Sequence, residues 1–79
     1  MSMTELDKFI LDSIENCSSN LMLGEEFRSL ELSLLNEYFV SRDPIYEFLI
    51  TLISKYENDE ELGMYLKKVQ YKVESYLTN

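Results

Sequence analysis

Apolar residues recur along this chain at spacings of three and four, the period of a helix that buries one face. The best-marked helix begins at Asp43, a favoured N-cap, followed by Pro44, whose fixed φ and missing N–H suit the first helical turn. Its apolar arc of roughly 200° is wider than the stripe of a surface helix. We therefore predict a helix over residues 44–57 that contacts two or more neighbours and forms the centre of the fold.

The first helix is marked by Thr4, whose hydroxyl can cap it, and by Asp7 at the third helical position. Apolar residues then recur at helical spacing as far as Cys17, and the polar run Ser18-Ser19-Asn20 favours a turn. This pattern predicts a helix over residues 5–17.

A second helix is expected to begin after Gly24, which is acceptable as an N-cap. Glu25 and Glu26 would then occupy the positive end of the helix dipole. The preceding Leu21-Met22-Leu23 is short, and we interpret it as a plug for one end of the core. The predicted helix covers residues 25–40.

The last helix follows Asn58, a good N-cap, and Glu61 stands where it would complete a capping box. A continuous four-three apolar pattern predicts this helix over residues 59–77. No strand-like alternation and no internal repeat is detected. The expected fold is therefore all-α, a small bundle of three to four helices in a single domain over residues 1–79, with the central helix between the second and fourth.

The charge narrows the choice of partner. The 79 residues carry a formal net charge of −8 and a pI near 4.3. Binding to a phosphate backbone needs clustered Lys and Arg, so this charge argues against direct nucleic-acid binding and favours a basic protein as partner.

The composition also limits the chemistry. There is no histidine and only one cysteine, which excludes histidine-based acid–base catalysis, the Ser/His/Asp and Cys/His nucleophile systems and the usual zinc sites. Neither glycine belongs to a phosphate-binding loop, and the acidic run over residues 57–61 lacks the alternating ligands of a calcium loop. We expect no enzyme activity, cofactor, metal or small-molecule substrate, and we interpret Cys17 as a structural thiol.

A single cysteine forms no intrachain disulfide, which favours a reducing compartment. The chain shows no secretory signal pattern, and its apolar runs are far shorter than the roughly 20 residues that span a bilayer. The sequence therefore predicts a cytoplasmic protein without a membrane segment.

Two sets of apolar residues are candidates for protein contact. Leu32, Leu35 and Phe39 form a second stripe on the helix over 25–40, to be covered either by the first helix or by another molecule. On the last helix a second patch lies opposite the core stripe, in the one locally basic region of the chain. Its members are Met64, Lys67, Lys68 and Tyr71.

These observations predict a small, acidic, non-enzymatic interaction module that forms a homodimer and acts as a regulator, inhibitor or chaperone-like partner by docking on a basic protein. Its size and helical layout are typical of small bacterial or phage regulators. Carboxylates such as Glu25, Glu26, Glu31 and Glu37 would steer the encounter. Two alternatives are a structural subunit of a larger assembly and a nucleic-acid-associated regulator that uses the face of Lys67, Lys68 and Lys72.

Overall fold

A computed structural model describes residues 3–78, and residues 1, 2 and 79 of the predicted domain lie outside the described range. Over that range the chain is all-helical, without strands, as predicted. It contains six helices: α1 (Glu5–Asn16), α2 (Asn20–Ser29), α3 (Glu31–Ser41), α4 (Pro44–Lys55), α5 (Asp59–Lys68) and α6 (Gln70–Thr78).

Three predicted helix starts are confirmed by their capping hydrogen bonds. Thr4 Oγ1 accepts from the Asp7 N–H at 3.1 Å, and the Asp7 carboxylate accepts from the Thr4 N–H, so the capping box of α1 is complete. The Asp43 carboxylate accepts from the Ile45 N–H at 3.3 Å at the start of α4. Asn58 caps α5 in the same way. Local side-chain chemistry thus fixes these three starts.

The predicted start of the second helix is wrong. α2 begins at Asn20, and Ser19 is its N-cap, accepting from the Met22 N–H at 3.1 Å. Ser is a stronger N-cap than Gly, so the helix starts at the earlier signal. The segment interpreted as a plug is therefore the first turn of α2, in which Leu23 is fully buried. Gly24 lies inside the helix.

The predicted bundle of three to four helices undercounts the six because the segments 25–40 and 59–77 are each broken once. The breaks fall at Leu30 (φ −89°, ψ −2°) and Val69 (φ −100°, ψ 12°). At the first break the Leu30 N–H bonds three residues back, to the Phe27 carbonyl at 3.0 Å. Buried Phe27 and Leu34 remain seven residues apart across it, so the apolar period continues unchanged and gives no sign of the break.

The six helices form two halves with a common period of 39 residues. α1 and α4 begin at residues 5 and 44, α2 and α5 at 20 and 59, and α3 and α6 at 31 and 70. Every buried residue of the first half has a buried counterpart 39 positions later. These pairs are Asp7 and Tyr46, Ile10 and Leu49, Ser13 and Leu52, Ile14 and Ile53, Leu23 and Leu62, Gly24 and Gly63, Phe27 and Leu66, and Leu34 and Val73. An internal repeat is thus present, contrary to expectation.

The contacts show that an approximate two-fold axis relates the halves. Gly24 packs against the backbone of Asp59. Gly63, the counterpart of Gly24, packs against the backbone of Asn20, the counterpart of Asp59. On the axis itself, the counterparts Tyr46 and Asp7 hydrogen-bond each other at 2.5 Å. This is the pattern of an isologous dimer, in which residue i contacts j and j contacts i, formed here within one chain.

The core is centred differently from the prediction. The most extensive helix contact joins α2 and α5, where the two glycines let the backbones approach closely, and α4 packs mainly on α3. α4 still buries an extended apolar face: Ile45, Tyr46, Leu49, Leu52 and Ile53. None of the described helices is long and apolar enough to cross a membrane.

Candidate protein-interaction surfaces

The outer face of α3 is the most exposed apolar surface of the first half. Leu34 is fully buried, and on the opposite side of the helix Leu32, Phe39 and Val40 are 76, 59 and 83% exposed. Leu35, on the same side of the helix, is only partly exposed. The first helix therefore leaves most of the predicted stripe uncovered, and of the two alternatives only contact with another molecule would bury Leu32 and Phe39. We call Leu32, Leu35, Phe39 and Val40 the α3 face.

The α3 face carries no charged side chain of its own. Ser33 and Asn36 are its polar neighbours on the exposed side of the helix, while Glu31 and Glu37 are partly buried. At its end, the Arg42 guanidinium lies 5.9 Å from the Phe39 ring centroid. An uncharged apolar face on a chain of net charge −8 is a surface at which contact meets little local repulsion.

The four residues of the patch predicted on the last helix do not form one surface, and they lie at three different sites. Met64 and Lys68 line a groove with three other residues of the second half: Tyr56, Glu61 and Tyr65. Lys67 reaches the first half, where its Nζ donates to the Cys17 carbonyl at 3.4 Å. Tyr71 lies on a separate shallow site with Lys72, Ser75 and Tyr76.

The groove of the second half has an aromatic wall. The Tyr56 and Tyr65 rings stack with centroids 5.1 Å apart, and the Lys55 ammonium lies 5.5 Å from the Tyr56 centroid. The groove has a volume of about 400 Å³. Its charged lining residues, Glu61 and Lys68, have opposite signs, so the groove is nearly neutral.

The counterpart groove of the first half is acidic. It lies between α1 and α2, with a volume of about 250 Å³, and adjoins a second hollow of about 220 Å³. Met22 and Glu26 line both hollows, so the two form one continuous surface. Phe9 and Asp12 border it on the α1 side, and Glu25 borders it on the α2 side. We call Phe9, Asp12, Met22, Glu25 and Glu26 the acidic groove.

The acidic groove was not predicted from the sequence, because Glu25 and Glu26 were assigned to a helix start, where the helix dipole favours acidic residues. With α2 beginning at Asn20, that explanation no longer applies. One signal was available in the sequence: Phe9 lies beside the apolar stripe of α1 and not within it, and such a residue lies at the margin of the buried face.

Cys17 borders the acidic groove as a partly buried free thiol. Desolvation by burial raises its pKa, and the neighbouring Glu26 carboxylate raises it further. Because the thiolate is the reactive form, this environment makes Cys17 a poor nucleophile and agrees with a structural role.

The buried polar pair on the two-fold axis is fully satisfied. Tyr46 donates its hydroxyl proton to Asp7 Oδ1, while Asp7 also caps α1. Desolvation raises the pKa of Tyr46, and the hydrogen bond to Asp7 adds to the rise. Among residues 3–78 no buried side-chain polar atom lacks a partner, and no three potential metal ligands converge. The pair stabilises the interface between the halves.

Comparison with protein-family models, with curated proteins and with solved structures finds no match for this chain.

Proposed function

We propose that this protein is a small acidic interaction module without chemistry of its own. It self-associates through the α3 face and acts by docking on a basic protein, as a regulator, inhibitor or chaperone-like partner. The single observation behind the proposal is the α3 face, where Leu32, Phe39 and Val40 are exposed together on one helix.

Burial of this face favours association. A large apolar side chain contributes roughly 1.5 to 3 kcal/mol when it moves from water into a packed interface. Leu32 and Phe39 lie two helical turns apart, so an antiparallel pairing of α3 with the α3 of a second copy would bring Leu32 of each chain onto Phe39 of the other. The ends of the helix are complementary in the same pairing, since Glu31 would approach Arg42 of the second copy.

The charge of the rest of the surface supports docking on a basic partner. A net charge of −8 steers oppositely charged proteins toward the molecule and speeds their encounter. The uncharged α3 face and the charged remainder thus favour different partners: a second copy on the first, and a basic protein on the second.

Sedimentation equilibrium tests self-association with a matched pair of variants. Leu32→Ser/Phe39→Ser alters the α3 face, and Tyr71→Ser/Thr78→Ser alters the counterpart positions on α6. We expect a dimer for the wild type and for the α6 variant, and a monomer for the α3 variant with an unchanged far-UV circular dichroism spectrum. A wild type that remains monomeric at millimolar concentration, or an α3 variant that remains a dimer, would contradict the proposal.

A further inference from the structure

The two-fold arrangement of the chain allows each surface of the first half to be compared with its counterpart in the second. The acidic groove and the groove of the second half occupy equivalent places, because their lining residues are 39 positions apart. The counterparts are Cys17 and Tyr56, Met22 and Glu61, Glu25 and Met64, Glu26 and Tyr65, and Ser29 and Lys68. The same backbone therefore carries two different linings. The shared core does not require this difference.

We infer that the acidic groove is the place where the basic partner docks, and that it takes a segment with an apolar side chain flanked by Lys or Arg. This inference rests on the proposed docking function and adds its location and the chemistry of the segment that is bound.

The two groove carboxylates on α2 have no structural duty, whereas the Asp12 carboxylate accepts a hydrogen bond from Asn16 Nδ2 within α1. Glu25 and Glu26 lie beyond the first turn of α2, where the helix dipole no longer favours an acid. Their counterparts are Met64 and Tyr65, so the helix does not require an acid at either position. Within residues 3–78 neither carboxylate forms an ion pair. Both are therefore free to meet a cation from outside.

Apolar surface lies directly beside these carboxylates. Phe9 on α1 and Met22 on α2 are 45 and 48% exposed, and they line the same hollow. An unbranched methionine adapts to differently shaped apolar groups, which suits a docking groove. A helical segment with one large apolar residue and cations one turn away on either side would satisfy both features at once.

The charge balance of the groove selects a basic occupant. Asp12, Glu25 and Glu26 supply three carboxylates. Lys67 reaches the edge of this groove from the second half, where its Nζ donates to the Cys17 carbonyl, so the acids of the groove exceed its cations by two. The groove of the second half pairs one acid with one lysine, so it lacks this preference.

The test uses a defined probe, a synthetic amphipathic peptide of about 14 Leu and Lys residues, titrated into the ¹⁵N-labelled full chain. We expect amide shift changes concentrated in α1 and α2, and weaker binding as salt rises because the contacts are exposed ion pairs. Glu25→Gln/Glu26→Gln should weaken binding about fivefold, the effect of two such pairs.

The matched control is Glu57→Gln/Glu60→Gln, which removes the same charge from two exposed acids of the second half. We expect it to weaken binding less than about twofold. Equal weakening by both variants would overturn the inference, because general charge attraction would then explain the binding. Shift changes outside the acidic groove would overturn it while leaving docking on basic partners intact. No binding at low salt would overturn both, and sedimentation would still report on the α3 face independently.

Discussion

The two halves of this molecule share a core and differ in surface. Each buried position of α1, α2 and α3 is buried again in α4, α5 and α6, although only Phe9, Ile14, Leu23 and Gly24 are identical to their counterparts. The outer faces are unlike: Leu32 and Phe39 on α3 correspond to Tyr71 and Thr78 on α6. Packing restricts both members of each buried pair to residues that fit the core. The exposed positions are not restricted in this way, so they are free to serve binding.

Charge shows the same division. Residues 4–42 contain eight acidic and three basic residues, a net charge of −5, and residues 43–78 contain seven and four, a net charge of −3. The first half is therefore both the more acidic half and the half with the uncharged apolar face. We place both proposed contacts there.

The largest effect is expected where the halves meet most closely. A Cβ added at Gly24 would lie 2.6 Å from the Asp59 carbonyl carbon, and one added at Gly63 would lie 2.6 Å from that of Asn20. Because these are backbone atoms, the helices must move apart. We expect Gly24→Ala and Gly63→Ala each to lower the free energy of unfolding by about 3 kcal/mol in urea denaturation. A gain in stability from helix propensity at either site would break the two-fold account.

A smaller and unequal effect is expected at the next pair of counterparts. Arg28 donates to Asp59 Oδ1 at 2.5 Å and to the Tyr56 carbonyl at 2.6 Å, whereas Lys67 makes one 3.4 Å bond to the Cys17 carbonyl. Tyr56 and Cys17 are themselves counterparts, so both cations close the end of a helix.

Urea denaturation measures this inequality. We expect Arg28→Ala to cost about 2 kcal/mol and Lys67→Ala about 0.5 kcal/mol, since the arginine contacts are charge-assisted and partly buried. Equal losses of stability in the two variants would contradict the expectation that the Arg28 hydrogen bonds contribute more than the Lys67 hydrogen bond.

The pair on the axis gives a stability that depends on pH. The pKa of Tyr46 is raised in the folded protein, so its contribution is complete below the unfolded value near 10 and declines as the pH rises above it. Tyr46→Phe should cost about 1.5 kcal/mol at pH 7 and should flatten the alkaline decline. The exposed Tyr71→Phe is the control. An alkaline decline that Tyr46→Phe leaves unchanged would remove Tyr46 as its source.

A small effect is expected from moving the chain ends. The link over residues 42–43 that joins the halves has its two-fold counterpart between α6 and α1, which are in contact. A circular permutant that joins residue 79 to residue 2 and opens the chain between Arg42 and Asp43 should keep the fold and lose less than about 1 kcal/mol. Loss of cooperative thermal unfolding in this permutant would contradict the equivalence of the two links.

The sequence predicted what local chemistry determines. The caps Thr4, Asp43 and Asn58 and the all-helical class follow from side-chain hydrogen bonding and apolar period, which act over a few residues. The breaks at Leu30 and Val69 keep that period, so they have no local signature. The role of Gly24 and Gly63 depends on a helix from the other half, and a contact of this kind becomes visible only in three dimensions.

The candidate surfaces were predictable to different degrees. Leu32 and Phe39 exceed what one helix face can bury, and the sequence singled them out for this reason. The acidic groove combines Phe9 of α1 with Met22 of α2, and the turn at Ser18 and Ser19 brings the two helices together. Because α2 was predicted to start too late, Met22 was not placed on a helix beside α1.

Amide hydrogen exchange of the wild type at two protein concentrations compares α3 with α6 inside one molecule, and it tests most directly whether the surface difference serves binding. Self-association through the α3 face predicts that exchange over Glu31–Ser41 slows as the concentration rises, while exchange over Gln70–Thr78 stays the same. Equal slowing in both helices, or no concentration dependence in either, would contradict it.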